Sequence, residues 1–201
     1  MTRSLKRQNS LPKKTRRRSQ SSHEAILKAT VELLEEVGYV SMSIEGIARR
    51  AGVGKQTIYR WWSSKANLVM EAYTTVVAKK IPLPNTGKVQ EDLEAIFCPL
   101  FKVLNTTTAG TALAGIMAEA QNNPELAQAF RDQFVASRRA VIKTILESGI
   151  KRGELRKDIN LECAVDSLYG AMWYRLLLAH APLDENFAQI LIAQLLHGIE
   201  L

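Results

Sequence analysis

Little in this chain is equipped for covalent chemistry. Two cysteines are present, Cys98 and Cys163, too far apart for the short spacing of a metal-binding pair. Both read as buried small hydrophobes in a reducing cytoplasm. The three histidines, His23, His180 and His197, are scattered and fit helix surfaces or core positions better than a metal site or a catalytic base. There is no Gly-rich phosphate loop, no nucleophile elbow and no paired-carboxylate motif, so nothing points to an enzyme, a metal or a cofactor. No run reaches the ~20 apolar residues of a membrane span. No apolar stretch follows the basic start, which argues against a secretory signal. A cytoplasmic protein is expected.

What is present is apolar material and unevenly placed charge. The 201 residues are 46% apolar, ample for one large domain or two small ones. Through Lys65 there are 14 Lys and Arg against 5 Asp and Glu, a net of +9, whereas the remainder has 13 against 15, a net of −2. A basic N-terminal third on a near-neutral body is the footprint of a nucleic-acid reader joined to a second domain.

The stretch from Ser43 to Lys65 organises the rest. Ile44, Ile47 and Ala48 recur at helical spacing, Gly52 interrupts, and Ile58 resumes the pattern. Ser43 is placed to N-cap the first helix, and Gly52 can take the left-handed conformation that ends it. Two short helices joined by a tight Gly-containing turn make a helix-turn-helix. The second, about Lys55 to Trp62, exposes Lys55, Gln56, Thr57, Tyr59 and Arg60, all hydrogen-bond donors. Such a surface suits the major groove, with base edges read by its N-terminal part and phosphates held around it.

Gly52-Val53, Thr57-Ile58-Tyr59, Trp62, Lys65 and Leu68, with Ile47-Ala48 upstream, resemble the DNA-binding signature of the TetR (tetracycline-repressor-like) family of bacterial regulators. The resemblance is specific over Ser21 to Leu68. It implies that Ser43 caps its helix and touches phosphate, that Lys55, Gln56 and Thr57 face the groove, and that Tyr59 and Lys65 hold phosphates. Trp61 stands where the family commonly has His or Tyr, and its indole can donate one hydrogen bond but accept none.

Residues 1–20 carry eight Lys and Arg and no acid, and cannot bury enough apolar area to order themselves. They read as a disordered basic arm that can lie along phosphates or enter a minor groove. Ser21-x-x-Glu24 has the form of a capping box that opens a three-helix head over 21–66. Ile26, Leu27, Thr30, Leu33, Leu34 and Val37 form the first helix's apolar stripe, Gly38 stops it, and Tyr39, Val40, Met42 and Trp62 close the head's core. Leu68 to Val77 begin a connecting helix, with Lys79-Lys80 at its negative end and Ile81-Pro82-Leu83-Pro84-Asn85 ending it.

The remainder, 67–201, is helical throughout, with no credible strand. The fold class is all-α: a helix-turn-helix head followed by a helical ligand-binding and dimerisation domain. Pro99 should kink or split its helix, and Asn123-Pro124-Glu125 starts a long one that ends at Gly153. Asp158 or Asn160 starts the next, and Asp184 the last. Over 161–181 and 187–199 the helices are apolar on most sides and must be buried on most sides. A partner surface is implied, and the family resemblance adds a homodimer formed through a four-helix bundle. Leu168, Met172, Leu176, Ile190, Leu191 and Leu195 are the expected interface.

The resemblance also implies a small-molecule ligand among the central helices that releases the DNA operator. Phe97, Phe101, Met117, Phe134, Tyr169 and Trp173 are the candidate lining, with Gln121, Arg138 or Arg175 as polar anchors. Plain core packing serves each aromatic about as well. An aromatic lining favours a hydrophobic or aromatic ligand. Two alternatives remain: a helix-turn-helix DNA binder with no small-molecule switch, and an α-helical enzyme with a basic tail. Deleting residues 1–18 should weaken DNA binding at all sequences and flatten its salt dependence, each lost phosphate contact removing about 0.9 from the slope of log K against log salt. An unchanged slope in a salt titration would rule the arm out as a contact.

Overall fold

Among residues 13–76 and 84–199, which the computed structural model of the protein describes, every regular element is helical. The arm's first twelve residues, Lys79-Lys80 and Ile81-Pro82-Leu83 lie outside the described residues. Helix α1 spans Lys13–Ser41, α2 Ile44–Ala51 and α3 Lys55–Tyr59, and α4 (Lys65–Val76) leads out of the head. The body consists of α5 (Val89–Thr106), α6 (Ala109–Ala120), α7 (Pro124–Phe130), α8 (Ala136–Arg152), α9 (Leu161–Leu178) and α10 (Glu185–Ile199).

In the head, α1 packs across α2 and α4 over a core of Ile26, Leu34, Ile44, Ile47, Ile58, Trp62 and Leu68. Thr30 is fully buried there because its hydroxyl donates to the Ile26 carbonyl at 2.8 Å, which removes the penalty of an unpaired polar group. Gly38 takes φ 74°, breaks α1 and turns the chain toward α2. Tyr39 and Met42 are buried as expected, but Val40 is exposed and belongs to the turn rather than to the core.

Two further expectations at helix ends are corrected. Helix α1 begins at Lys13, upstream of the Ser21–Glu24 box, so Ser21 lies within a helix and not at its start. Lys, Arg and Gln lose little rotamer freedom in a helix, and extending one already nucleated on a packed face is far easier than starting another. Pro99 neither splits nor ends α5, which runs on through it. It stands on the solvent side, where the carbonyl that loses its N–H partner can be hydrated. Cys98 is half-buried, but Cys163 is exposed at the start of α9 and fills no core.

The body's start signals hold. The side chains of Asn123, Asn160 and Asp184 accept from the backbone N–H groups of Leu126, Cys163 and Phe187 at 3.1, 3.0 and 2.8 Å. The long helix reaches its Gly153 cap, at φ 82°, through a π-helical turn over Arg131–Val135 between α7 and α8. Near the α5 start, Glu154 accepts from the Val89 N–H and the buried Asp92 from the Thr86 N–H, both at 2.8 Å.

Head and body meet at Tyr39. Its ring lies against Gly115 of α6, where a Cβ would fall 2.5 Å from Tyr39 Cδ1. Its hydroxyl donates to Glu119 of the same helix at 2.6 Å. Burial, then the Glu119 carboxylate, holds this phenol well above its ordinary range. The Gly115→Ala change should destabilise the protein by about 1–3 kcal/mol through overpacking, and Tyr39→Phe by about 1 kcal/mol through the lost hydrogen bond. Urea denaturation checks both, and a neutral Gly115→Ala would show that the ring is not confined there.

Candidate nucleic-acid interface and inner cavity

Ser43, extended at φ −126°, accepts from the Gly46 N–H at 3.1 Å, and Gly52 closes α2 in the left-handed region at φ 65°. The Val53 N–H then bonds the Ala48 carbonyl at 3.0 Å, which turns the chain sharply into α3. This second helix is shorter than the expected Lys55–Trp62, ending at Tyr59. The N–H groups of Trp61 and Trp62 continue to the Ile58 carbonyl in a tightened turn. Ile58 and Trp62 point into the head, and Trp62 donates its indole N–H to Glu71 of α4 at 2.7 Å.

The opposite side of α3 is open. Lys55, Gln56, Tyr59 and Arg60 are exposed, and Thr57 is half-buried. Lys55 pairs with Glu45 at 2.7 Å across the turn. The hydrogen bond between them holds the ammonium above and the carboxyl below their ordinary ranges. Both groups are solvated, and such pairs contribute little, so a phosphate can displace the carboxylate. Trp61 is partly exposed and meets His23 edge-on, 4.8 Å between ring centroids.

Lys65 is differently employed. Its ammonium donates to the Tyr39 and Met42 carbonyls at 2.9 and 3.2 Å and sits 4.2 Å from the Tyr39 ring centroid. It fastens the end of α1 to the start of α4, and two of its three N–H groups are committed within the head.

Within the body, a cavity of about 260 Å³ opens between α4, α5, α6, the π-helical turn, α8 and α9. Of the expected lining it brings together Phe134, Arg138, Tyr169 and Trp173. The others lie elsewhere. Phe97 and Phe101 are fully buried core side chains, the first behind Tyr169 at 5.3 Å and the second stacked on Phe187 at 5.8 Å. Met117 is half-buried against the core, and the exposed Gln121 donates to its sulfur at 3.5 Å. Arg175 donates to the Pro182 carbonyl at 2.6 Å and covers the Phe187 ring.

Sequence reasoning missed Tyr73, Leu100, Leu104, Leu113, Arg139, Asp166 and Met172 in the wall. For Tyr73 a signal existed: a phenol amid the apolar residues of the connecting helix. Burial pushes the Tyr73 and Tyr169 hydroxyls up to about 12, against the pull of the Arg138 charge. The same burial lowers Arg138.

The expected dimer residues also divide. Leu168 and Met172 are 0% and 3% exposed, packed on the chain's own body. Leu176, Leu191 and Leu195 are half-buried, and Ile190 is exposed. Tyr174, Leu177 and Leu178 of α9 and Ile190 of α10 are apolar or aromatic side chains 46–59% exposed. A helix apolar all round gives no sequence signal for which side meets its own domain. No helix among the described residues is long and apolar enough to cross a membrane.

Comparison with known proteins agrees with this architecture. Residues 26–72 match the model of bacterial regulatory proteins of the tetR family. Residues 83–195 match that of the tetracyclin repressor-like C-terminal domain. The chain is 34% identical over 188 residues to the uncharacterized HTH-type transcriptional regulator YdeS of Bacillus subtilis, covering 94% of each. It is 31% identical to the HTH-type transcriptional regulator AqdR of Rhodococcus erythropolis, over 73% of this chain and 70% of that one. The crystal structure of the TetR family transcription regulator SCO0332 superposes with a TM-score of 0.77 at 34% identity, over 89% of this chain and 98% of that one. FadR of Bacillus subtilis, solved in complex with stearoyl-CoA, shares the fold with a TM-score of 0.69 at 21% identity, over 89% of this chain and all of that one. The α2–α3 motif, the helical body behind it and these relatives lead to one assignment: the chain belongs to the TetR family, whose members are DNA-binding transcriptional regulators.

Proposed function

We propose that the protein is a cytoplasmic homodimeric repressor that leaves a pseudo-palindromic operator when a small molecule enters the inner cavity. The observation that carries the DNA reading is the α2–α3 turn, which presents Lys55, Gln56, Tyr59 and Arg60 on one open side while Ile58 and Trp62 hold the helix from behind. Lys55, Gln56 and Thr57 read the groove. Tyr59, Arg60 and Ser43 lie along the phosphates, with Trp61 at the edge. Lys65 acts chiefly by orienting the motif.

The exposure of Tyr174, Leu177, Leu178 and Ile190 favours a dimer, since exposed apolar patches mark association surfaces. Two-fold symmetry sets the α3 helices about 34–36 Å apart, one turn of B-DNA. The cavity wall includes α4, whose other end is built into the head, so a ligand that prefers one position of α4 shifts the spacing of the two heads. The FadR complex with stearoyl-CoA supports the existence of a ligand in this fold. A regulator with no small-molecule switch is the competing reading. A thermal-shift screen separates the two, since a true effector raises the melting temperature and releases DNA over the same concentration range.

Selection from a random duplex pool should recover an inverted repeat. Against that site, Gln56→Ala should lose about 1–3 kcal/mol of binding with little change on random DNA. Equal losses on both in a gel-shift titration would move Gln56 from base to backbone contact. Introducing Leu178→Arg together with Ile190→Arg should give monomers in sedimentation, and a surviving dimer would place the interface elsewhere.

A further inference from the structure

Among the described residues, no acid is paired with Arg138, which lines the inner cavity. Arg138 of α8 lies with its guanidinium 3.5 Å from the Phe134 ring centroid and 5.9 Å from that of Tyr73, and spends one N–H on the Phe134 carbonyl at 3.0 Å. The acid in the wall, Asp166, is paired with Arg139, and nearby Glu162 is shared by Arg139 and Lys143. Beside Arg138, the Tyr73 hydroxyl of α4 is buried with no hydrogen-bond partner among the described residues. A half-buried guanidinium without a counter-charge and a buried phenol without an acceptor each leave a donor short of a partner. Both residues line the same cavity, and both groups are donors.

We infer that the cavity takes an organic monocarboxylate, its carboxylate held between Arg138 and the Tyr73 hydroxyl and its apolar body against Leu100, Leu104, Leu113 and Trp173. The inference rests on the ligand-responsive reading above and sharpens it: the expected ligand is an amphipathic anion rather than a largely apolar molecule. A single uncompensated guanidinium with a neutral donor matches one negative charge, and the planar fork of Arg suits a carboxylate. A phosphate dianion would leave a charge unmatched. Apart from the Arg139–Asp166 ion pair, the rest of the wall is hydrocarbon and aromatic, which selects the body of the molecule. At about 260 Å³ the space lies at the small end of ligand sites, which suits an aryl or short alkyl acid. Because Arg138 stands on α8 and Tyr73 on α4, the bound carboxylate ties the connecting helix to the body.

The test uses full-length protein and matched pairs: benzoate, phenylacetate and 4-phenylbutyrate against their primary amides, by isothermal titration calorimetry at neutral pH. The acids should bind about 30-fold more tightly than the amides, as expected for a charged hydrogen-bonded pair. That ratio should fall to near one in Arg138→Gln and by about 5-fold in Tyr73→Phe. The acid-to-amide ratio is internal to each variant, and the wild-type ratio stands even if a variant folds poorly. Equal binding of acid and amide, a preference for amides, a ratio unchanged by Arg138→Gln, or no binding of any acid in the series would each overturn the inference. The broader reading fails on a different result: no compound of a mixed library of acids, amides and amines releases the selected operator.

Discussion

The burial of one phenol ring joins the two halves of this molecule. Tyr39 ends the first helix of the head, yet its ring lies on Gly115 and its hydroxyl reaches Glu119, both on α6 of the body. Lys65 covers the same ring and holds the carbonyls on either side of the turn after it. Three elements therefore converge on one side chain: the end of α1, the start of α4, and α6. A rotation of the head must disturb this contact or carry α6 with it. The glycine is required because any side chain at 115 would occupy the space of the ring.

The cavity lies along the other end of the same system. Tyr73 is on α4, and Phe134 and Arg138 follow in sequence through the π-helical turn. Tyr73 and Phe134 rings lie 5.7 Å apart, and Phe134 stacks on Phe130 at 5.0 Å. A change at Arg138 is thus felt through a continuous run of aromatic contacts that ends on the helix entering the head. This is a physical connection between two sites; that it switches belongs to the proposal.

Local chemistry made much of this legible in advance. Asn123-Pro124-Glu125, Asn160, Asp184, Gly52 and Gly153 begin or end helices where capping rules place them, because each satisfies backbone groups within a single turn. The Ser21–Glu24 box failed because its rule is also local, while the helix around it extends for a global reason. Apolar periodicity showed which helix faces turn inward, but core and cavity wall are both inward. Phe97 and Phe101 therefore looked no different from Phe134 and Trp173. Likewise the all-apolar α9 gave no sign that Leu168 packs on the chain's own body and Leu178 faces outward. Tyr73 differs from its apolar neighbours on the connecting helix only by a hydroxyl, which periodicity does not register.

The π-helical turn has one more consequence. An extra residue in a helix rotates everything after it by about 100° relative to what precedes. The bond from the Ala136 N–H to the Arg131 carbonyl marks where that happens. The angular offset between Phe130 and Arg138 is thus set by the count of residues in one turn, and not by either side chain. A single-codon loss there would re-aim the guanidinium while sparing every residue of the shell. Where the guanidinium points is accordingly a matter of helix register as much as of residue identity.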